Sequence, residues 1–255
     1  MGTRRLVTLG LLILLGASAA AGQAPGRLLV AVTDAEGAPL TGLTPADFTL
    51  TRDGGSVETL AVEPLPAAVQ VVAVFEGLAV TQRQLNAAIA TLIGSLDAQS
   101  VVDMQSVDSA LDAAIVQAIE DLHARGATHP VVLLLGQDSE MARSDLPSSQ
   151  VRGRRRAADL ADIGRLAEML ADHGIPFYGV SVTTILLPNL EALAAGSGGR
   201  FHVIAAASDL ADTLRGIGAE LGARYVVSHA GTAPPEVSVT RPGATVHAVP
   251  YAPTH

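Results

Sequence analysis

The chain has 255 residues, of which 49% are hydrophobic and 3% aromatic, with no tryptophan and no cysteine. This length allows one sizeable domain plus an appendage, and a formal net charge of −9 argues against a general nucleic-acid role. The lack of cysteine excludes disulfides, thiol catalysis, thiolate metal sites and lipid attachment through a cysteine.

Residues 1–24 read as an export signal. Arg4 and Arg5 form a basic start and 6–16 a short apolar run. Ala17-Ser18-Ala19 and Ala19-Ala20-Ala21 are small-residue cleavage sites. The run is short for a membrane span, so no insertion is expected beyond this segment; an uncleaved anchor is the alternative. Arg4-Arg5 also permits twin-arginine export. The mature protein is expected in the periplasm or outside the cell.

Residues 28–33 alternate as a strand, followed by the turn signal Asp34-Ala35-Glu36-Gly37. A structured link over 43–48 leads to strands over 48–51 and 57–62, joined by a tight turn at Asp53-Gly54-Gly55. This β segment, 25–64, is too small to be stable alone.

After Pro64-Leu65-Pro66 the pattern changes to short apolar strands alternating with amphipathic helices, and 67–230 reads as one α/β domain. Residues 69–75 form its first strand. A helix over 81–96 follows, with Leu85, Ile89, Leu92, Ile93 and Leu96 on one face and a capping box from Thr81 and Gln84. A second helix covers 109–124 and stops at Gly126. The wholly apolar 131–135 is a buried strand.

A helix over 158–173 stopping at Gly174, a strand over 175–182, a short helix over 189–195 and a strand over 200–204 continue the alternation. Ser208 is placed to cap a helix over 209–223, and 225–228 is a last strand. The fold class this implies is α/β: a doubly wound, mostly parallel sheet with helices on both faces. The tail 231–255 reads as a hairpin of strands 237–240 and 245–249 turning at Pro242-Gly243. Its pairing with the N-terminal strands would join both chain ends in one small β module.

These landmarks resemble the von Willebrand factor type A (vWA) domain, and more narrowly the exported vWA-related proteins of the acidobacterial type. The resemblance rests on Val32-Thr33-Asp34 with Gly37, on Gly42 through Phe48, and on Asp53-Gly54. Later in the chain it rests on Leu193-Ala194, on Gly198 through Phe201, and on Ile217 through Val227.

In that family a metal-dependent adhesion site uses an Asp-x-Ser-x-Ser loop after the first strand, then a Thr, then an Asp after the fourth strand. Here the loop is Glu76-Gly77-Leu78-Ala79-Val80. The resemblance puts Glu76 in the Asp place, Leu78 and Val80 in the serine places, Ser109 in the Thr place and Gly136 in the second Asp place, with Asp138 two residues on. Mg²⁺ demands near-ideal octahedral oxygen geometry, and Leu78 and Val80 supply no ligand. The expectation is a degenerate site with no cofactor, leaving Glu76 as a solvated loop residue or a charge at a helix N-terminus.

The family usually carries an antiparallel edge pair where only 97–108 remains, with Val101-Val102 as a remnant. The sheet is therefore expected to lack one or two edge strands and to leave 69–75 close to an edge, where another chain can pair. This shortening suits either a partner site or a decayed copy.

Arg152-Gly153-Arg154-Arg155-Arg156 is the only dense charge run and reads as a solvated loop or a contact for an acidic partner. The seven histidines show no ligand spacing. Gly196-Ser197-Gly198 is not a nucleophile elbow, since it follows a helix and lacks the Gly-x-Ser-x-Gly pattern. No phosphate loop is present.

The expected function is non-catalytic protein–protein interaction without a metal. The partner would be an unknown protein and the surface Glu76, Leu78, Val80, Ser109 and Asp138. Two alternatives are metal-dependent adhesion through a displaced site of Glu76, Ser109 and Asp138, and a flavodoxin-like enzyme.

Overall fold

The computed structural model describes residues 25–66, 68–76, 81–107, 111–136, 160–182 and 188–251. The export signal, the basic run 152–156, and Leu78, Val80, Ser109 and Asp138 lie outside the described residues.

The central sheet is built from β5 (Gln70–Glu76), β6 (Val101–Ser106), β7 (Pro130–Gly136), β8 (Phe177–Val182) and β9 (Phe201–Ile204). All neighbouring pairs are parallel, in the order β6-β5-β7-β8-β9. Every residue of β7 and β8 is buried, as apolar strands covered on both faces require.

Among the described residues five helices link and cover these strands: α1 (Gln82–Ser95), α2 (Leu111–Ala124), α3 (Leu160–Asp172), α4 (Pro188–Ser197) and α5 (Leu210–Leu221). Ile89 and Leu92 of α1 pack with Leu214, Ile217 and Leu221 of α5 against Val71, Leu133 and Val180. On the opposite face Ile115 and Ile119 of α2, Leu166 and Leu170 of α3 and Leu193 of α4 cover Val72, Val74, Val132 and Leu134. The doubly wound reading therefore holds.

Local signals explain the ends. Thr81 and Gln84 form the expected capping box on α1. Gly126 and Gly174 both adopt φ of +60° where α2 and α3 stop, a conformation costly for residues with a Cβ.

The remaining strands are β1 (Gly26–Thr33), β2 (Phe48–Arg52), β3 (Gly55–Val57), β4 (Thr59–Pro64), β10 (Tyr225–His229), β11 (Glu236–Val239) and β12 (Thr245–Pro250). They form a four-stranded sheet in the order β12-β1-β10-β4 and a three-stranded sheet in the order β11-β2-β3, antiparallel throughout. The two sheets enclose Leu28, Val30, Phe48, Leu50, Tyr225 and Val227. Tyr225 donates to Leu40 O at 3.0 Å and accepts from Leu43 N at 3.1 Å. Asp53 and Gly54 both take positive φ between the register partners Arg52 and Gly55, as a two-residue hairpin loop requires.

Several expectations need correction. The strand expected at 225–228 is not the last strand of the parallel sheet; as β10 it lies between β1 and β4 in the antiparallel one. The tail strands do not form a hairpin: β11 pairs with β2 and β12 with β1, so the tail does join the N-terminal strands, through two different sheets. The single strand expected over 57–62 is split at Glu58, with β3 and β4 in separate sheets.

The segment 97–108 contributes a full parallel strand, β6, which takes the edge and makes β5 internal. Ile93 faces outward at 52% exposure, since the inner face of α1 is already set by Ala88, Ile89 and Leu92. Ser208 does not cap α5; it lies in a 3-10 turn over Ala207–Asp209.

The two parts of the molecule meet at a buried polar cluster. The Tyr178 hydroxyl donates to Glu220 Oε1 at 2.7 Å, and Arg200 Nε pairs with Glu220 Oε2 at 3.2 Å. Arg200 also reaches Thr33 of β1 at 3.4 Å. Burial and the neighbouring Glu220 carboxylate both hold the Tyr178 hydroxyl in its neutral form, raising its pKa.

Candidate functional site

In an open α/β sheet the chain leaves its first strand to one side, then crosses to the other. At the carboxyl ends of the strands this reversal opens a crevice, where ligands bind. Here β5 runs first to β6 on one side and then, through α2, to β7 on the other. The reversal therefore falls between β5 and β7.

Glu76 and Gly136 end those two strands and are register partners. A Cβ placed on Gly136 would lie 3.6 Å from Glu76 O and 3.7 Å from Glu76 Oε2. The Glu76 carboxylate thus lies over the glycine, part-buried at the mouth of the crevice. Of the residues expected to form the site, these two are brought together by the structure.

The neighbouring strand ends complete the rim. Ser181 of β8 is the register partner of Gly136 and is 3% exposed. Ser106 of β6 is the partner of Phe75. Sequence reasoning overlooked both. Ser181 stands inside an apolar run, Tyr178-Gly179-Val180-Ser181-Val182, and only its place at the carboxyl end distinguishes it.

The chemistry of the described rim is one carboxylate, two hydroxyls and backbone. No three His, Cys, Asp or Glu side chains among the described residues are grouped to hold a metal ion. Glu76 is the one expected metal-site acid whose place is described, and it faces a glycine across the crevice. A wide, open hollow of about 500 Å³ lies elsewhere, between β6 and the end of α2, beside Asp103, Met104 and Arg125.

No helix among the described residues is long and apolar enough to cross a membrane.

A solved structure described as a von Willebrand factor type A from Catenulispora acidiphila is similar to this chain. The match has 11% sequence identity and a TM-score of 0.44, and covers 91% of this chain and 74% of that one. No family model matches the chain, and no curated protein matches it.

Proposed function

We propose that this chain is a non-catalytic, exported, vWA-like binding protein that takes a protein partner at the carboxyl end of its parallel sheet, without a bound metal. The supporting observation is the pairing of Glu76 with Gly136 across the sheet's reversal point. The crevice position suits ligand binding, while a glycine where the resemblance implies the second aspartate supplies no side-chain oxygen to an octahedral cation site. This reading assigns the partner contact to the apolar Leu78 and Val80, which follow Glu76 in the sequence.

A thermal melt of residues 25–255 with Mg²⁺ or Mn²⁺, and then with EDTA, tests the metal-free reading. The expected result is one cooperative transition with the same midpoint in all three. A ligand at a hundred times its dissociation constant stabilises by about 2.7 kcal/mol, which for this size shifts the midpoint by roughly 5–10 °C. A shift of that order would replace this reading with metal-dependent adhesion through Glu76, Ser109 and Asp138.

Turnover in a hydrolase screen would favour the enzyme reading instead. N-terminal sequencing of the protein from its native host tests export: a mature start near residue 25 is expected, and a retained Met1 contradicts it.

A further inference from the structure

The opposite end of the parallel sheet holds a feature unconnected with the crevice. Where β7 and β8 begin, a small cavity of about 20 Å³ is lined by His129, Pro130, His173, Pro176, Arg224 and Tyr251, together with Leu29 and Leu65. That volume accommodates about one water-sized species and no tetrahedral oxyanion.

Arg224 is the unusual member. It is 2% exposed and ranks among the largest fully buried side chains. Its backbone is tied down, since Arg224 O accepts from Leu65 N at 2.8 Å, and its Nε donates to Leu221 O at 3.4 Å. Nη2 is buried with no hydrogen-bond partner among the described residues. Arg224 forms no ion pair among the described residues, because the nearby Glu220 carboxylate is taken by Tyr178 and Arg200. The junction thus sets two guanidinium groups, the part-exposed Arg200 and the buried Arg224, against one carboxylate, and a buried cation without a counter-charge of its own is costly.

His129 supplies a second unsatisfied group on the same wall. Its Nδ1 is buried and unpartnered, and its backbone takes φ of +63° immediately before Pro130, a conformation rare for a residue with a Cβ. Burial and the Arg224 charge both hold its pKa below the ordinary value, keeping the ring neutral. A neutral imidazole carrying its proton on Nδ1 is a donor.

We propose that this cavity is a binding site for a single monoatomic monovalent anion of the halide class, held by Arg224 Nη2 and the Nδ1–H of His129. The charge balance, the volume and the two unused donors call for the same ligand. A water molecule would fill the space and accept hydrogen bonds but add no counter-charge to the guanidinium, whose nearby Glu220 carboxylate is already shared with Arg200. Entry is through the rim, where His129, His173 and Tyr251 are part-exposed. Because β1, the β7 and β8 starts and the tail all border the cavity, the anion would hold the β module to the α/β part.

The test uses the full chain in bromide, chloride and gluconate salts at equal ionic strength, gluconate being too large for the cavity. The midpoint of thermal unfolding should rise saturably with bromide or chloride, by roughly 5–10 °C at a hundred times the dissociation constant. Anomalous diffraction from a crystal soaked in bromide should place one ion between Arg224 and His129. Arg224→Gln should abolish the halide-dependent part of the shift. His129→Phe, which keeps the buried charge and removes one donor, should weaken halide affinity if Arg224→Gln does not fold. Equal midpoints in all three salts with a water in the cavity would overturn the proposal. So would a bromide peak unaccompanied by any saturable shift, which would mark an adventitious ion only.

Discussion

The Tyr178 hydroxyl and the Glu220 carboxylate, 42 residues apart in sequence, meet at 2.7 Å in the buried seam between the last helix and the parallel sheet. Glu220 is 6% exposed and Tyr178 fully buried, so neither group can turn to bulk water if its partner is lost. Tyr178→Phe should cost about 1–2 kcal/mol. Glu220→Leu should cost more, about 2–3 kcal/mol, since it strands Arg200; the part-exposure of Arg200 keeps this below the loss for a wholly buried pair. Urea unfolding of the two variants checks the order, and equal losses would contradict it.

Two histidines near that seam give the protein a dependence on pH. Burial pushes the pKa of His202 and His247 below the ordinary value of 6.5. As pH falls below that value, the unfolded chain takes up protons before the folded one does. Stability present above pH 6.5 is therefore lost on acidification. The urea midpoint should be lower at pH 5.5 than at pH 7.5, and replacing both residues by glutamine should reduce the difference to the part that His129, lowered in the same direction, still carries. Asp47 acts in a separate window. Hydrogen bonds from Thr44 and the Arg241 charge hold its pKa below 3.8, so its contribution disappears only in stronger acid.

Close approach sets a third prediction. A Cβ on Gly199 would lie 2.0 Å from Phe177 O, a backbone atom that cannot give way cheaply. Gly199→Ala should destabilise by about 2 kcal/mol or more. Gly94, exposed on α1 with nothing within 4 Å of its added Cβ, should behave oppositely, and Gly94→Ala should stabilise by up to about 1 kcal/mol. Paired thermal melts of the two variants measure the contrast.

The crevice itself offers a gain-of-function test. A Cβ on Gly136 meets Glu76 only at ordinary contact distance, so Gly136→Asp should fold. It would set two carboxylates side by side, where like charge disfavours ionising both. The variant should be less stable than the parent at low salt and neutral pH, and Mg²⁺ or Mn²⁺ should restore part of the loss. A variant indifferent to divalent cations would show that the crevice cannot be converted by this one residue.

How far these features are legible in the sequence depends on which residues carry them. The strands β5, β7 and β8 announce themselves as apolar runs, and Gly126 and Gly174 as stops. The partnership of β10 is not legible: Tyr225-Val226-Val227 is equally apolar as a buried parallel strand or as an inner strand of an antiparallel sheet. The edge strand β6 is masked for the opposite reason. Val101–Ser106 has four exposed residues out of six, so backbone pairing with β5 holds it there and no side-chain pattern marks it. At the crevice, Glu76 and Gly136 follow from strand ends alone, whereas Ser181 required the register of β7 with β8.

The position of β1 has a consequence in time. Its two neighbours are β10 and β12, so Leu28 and Val30 have no strand to pair with until residues 225–250 exist. During synthesis β1 must wait for β10 and β12, while the segments between can already assemble their sheet. Closing so long a loop is a late and slow event, and in the interval an apolar strand is open to wrong partners. Refolding should therefore show early helix formation, with protection of the amides of β1 appearing last.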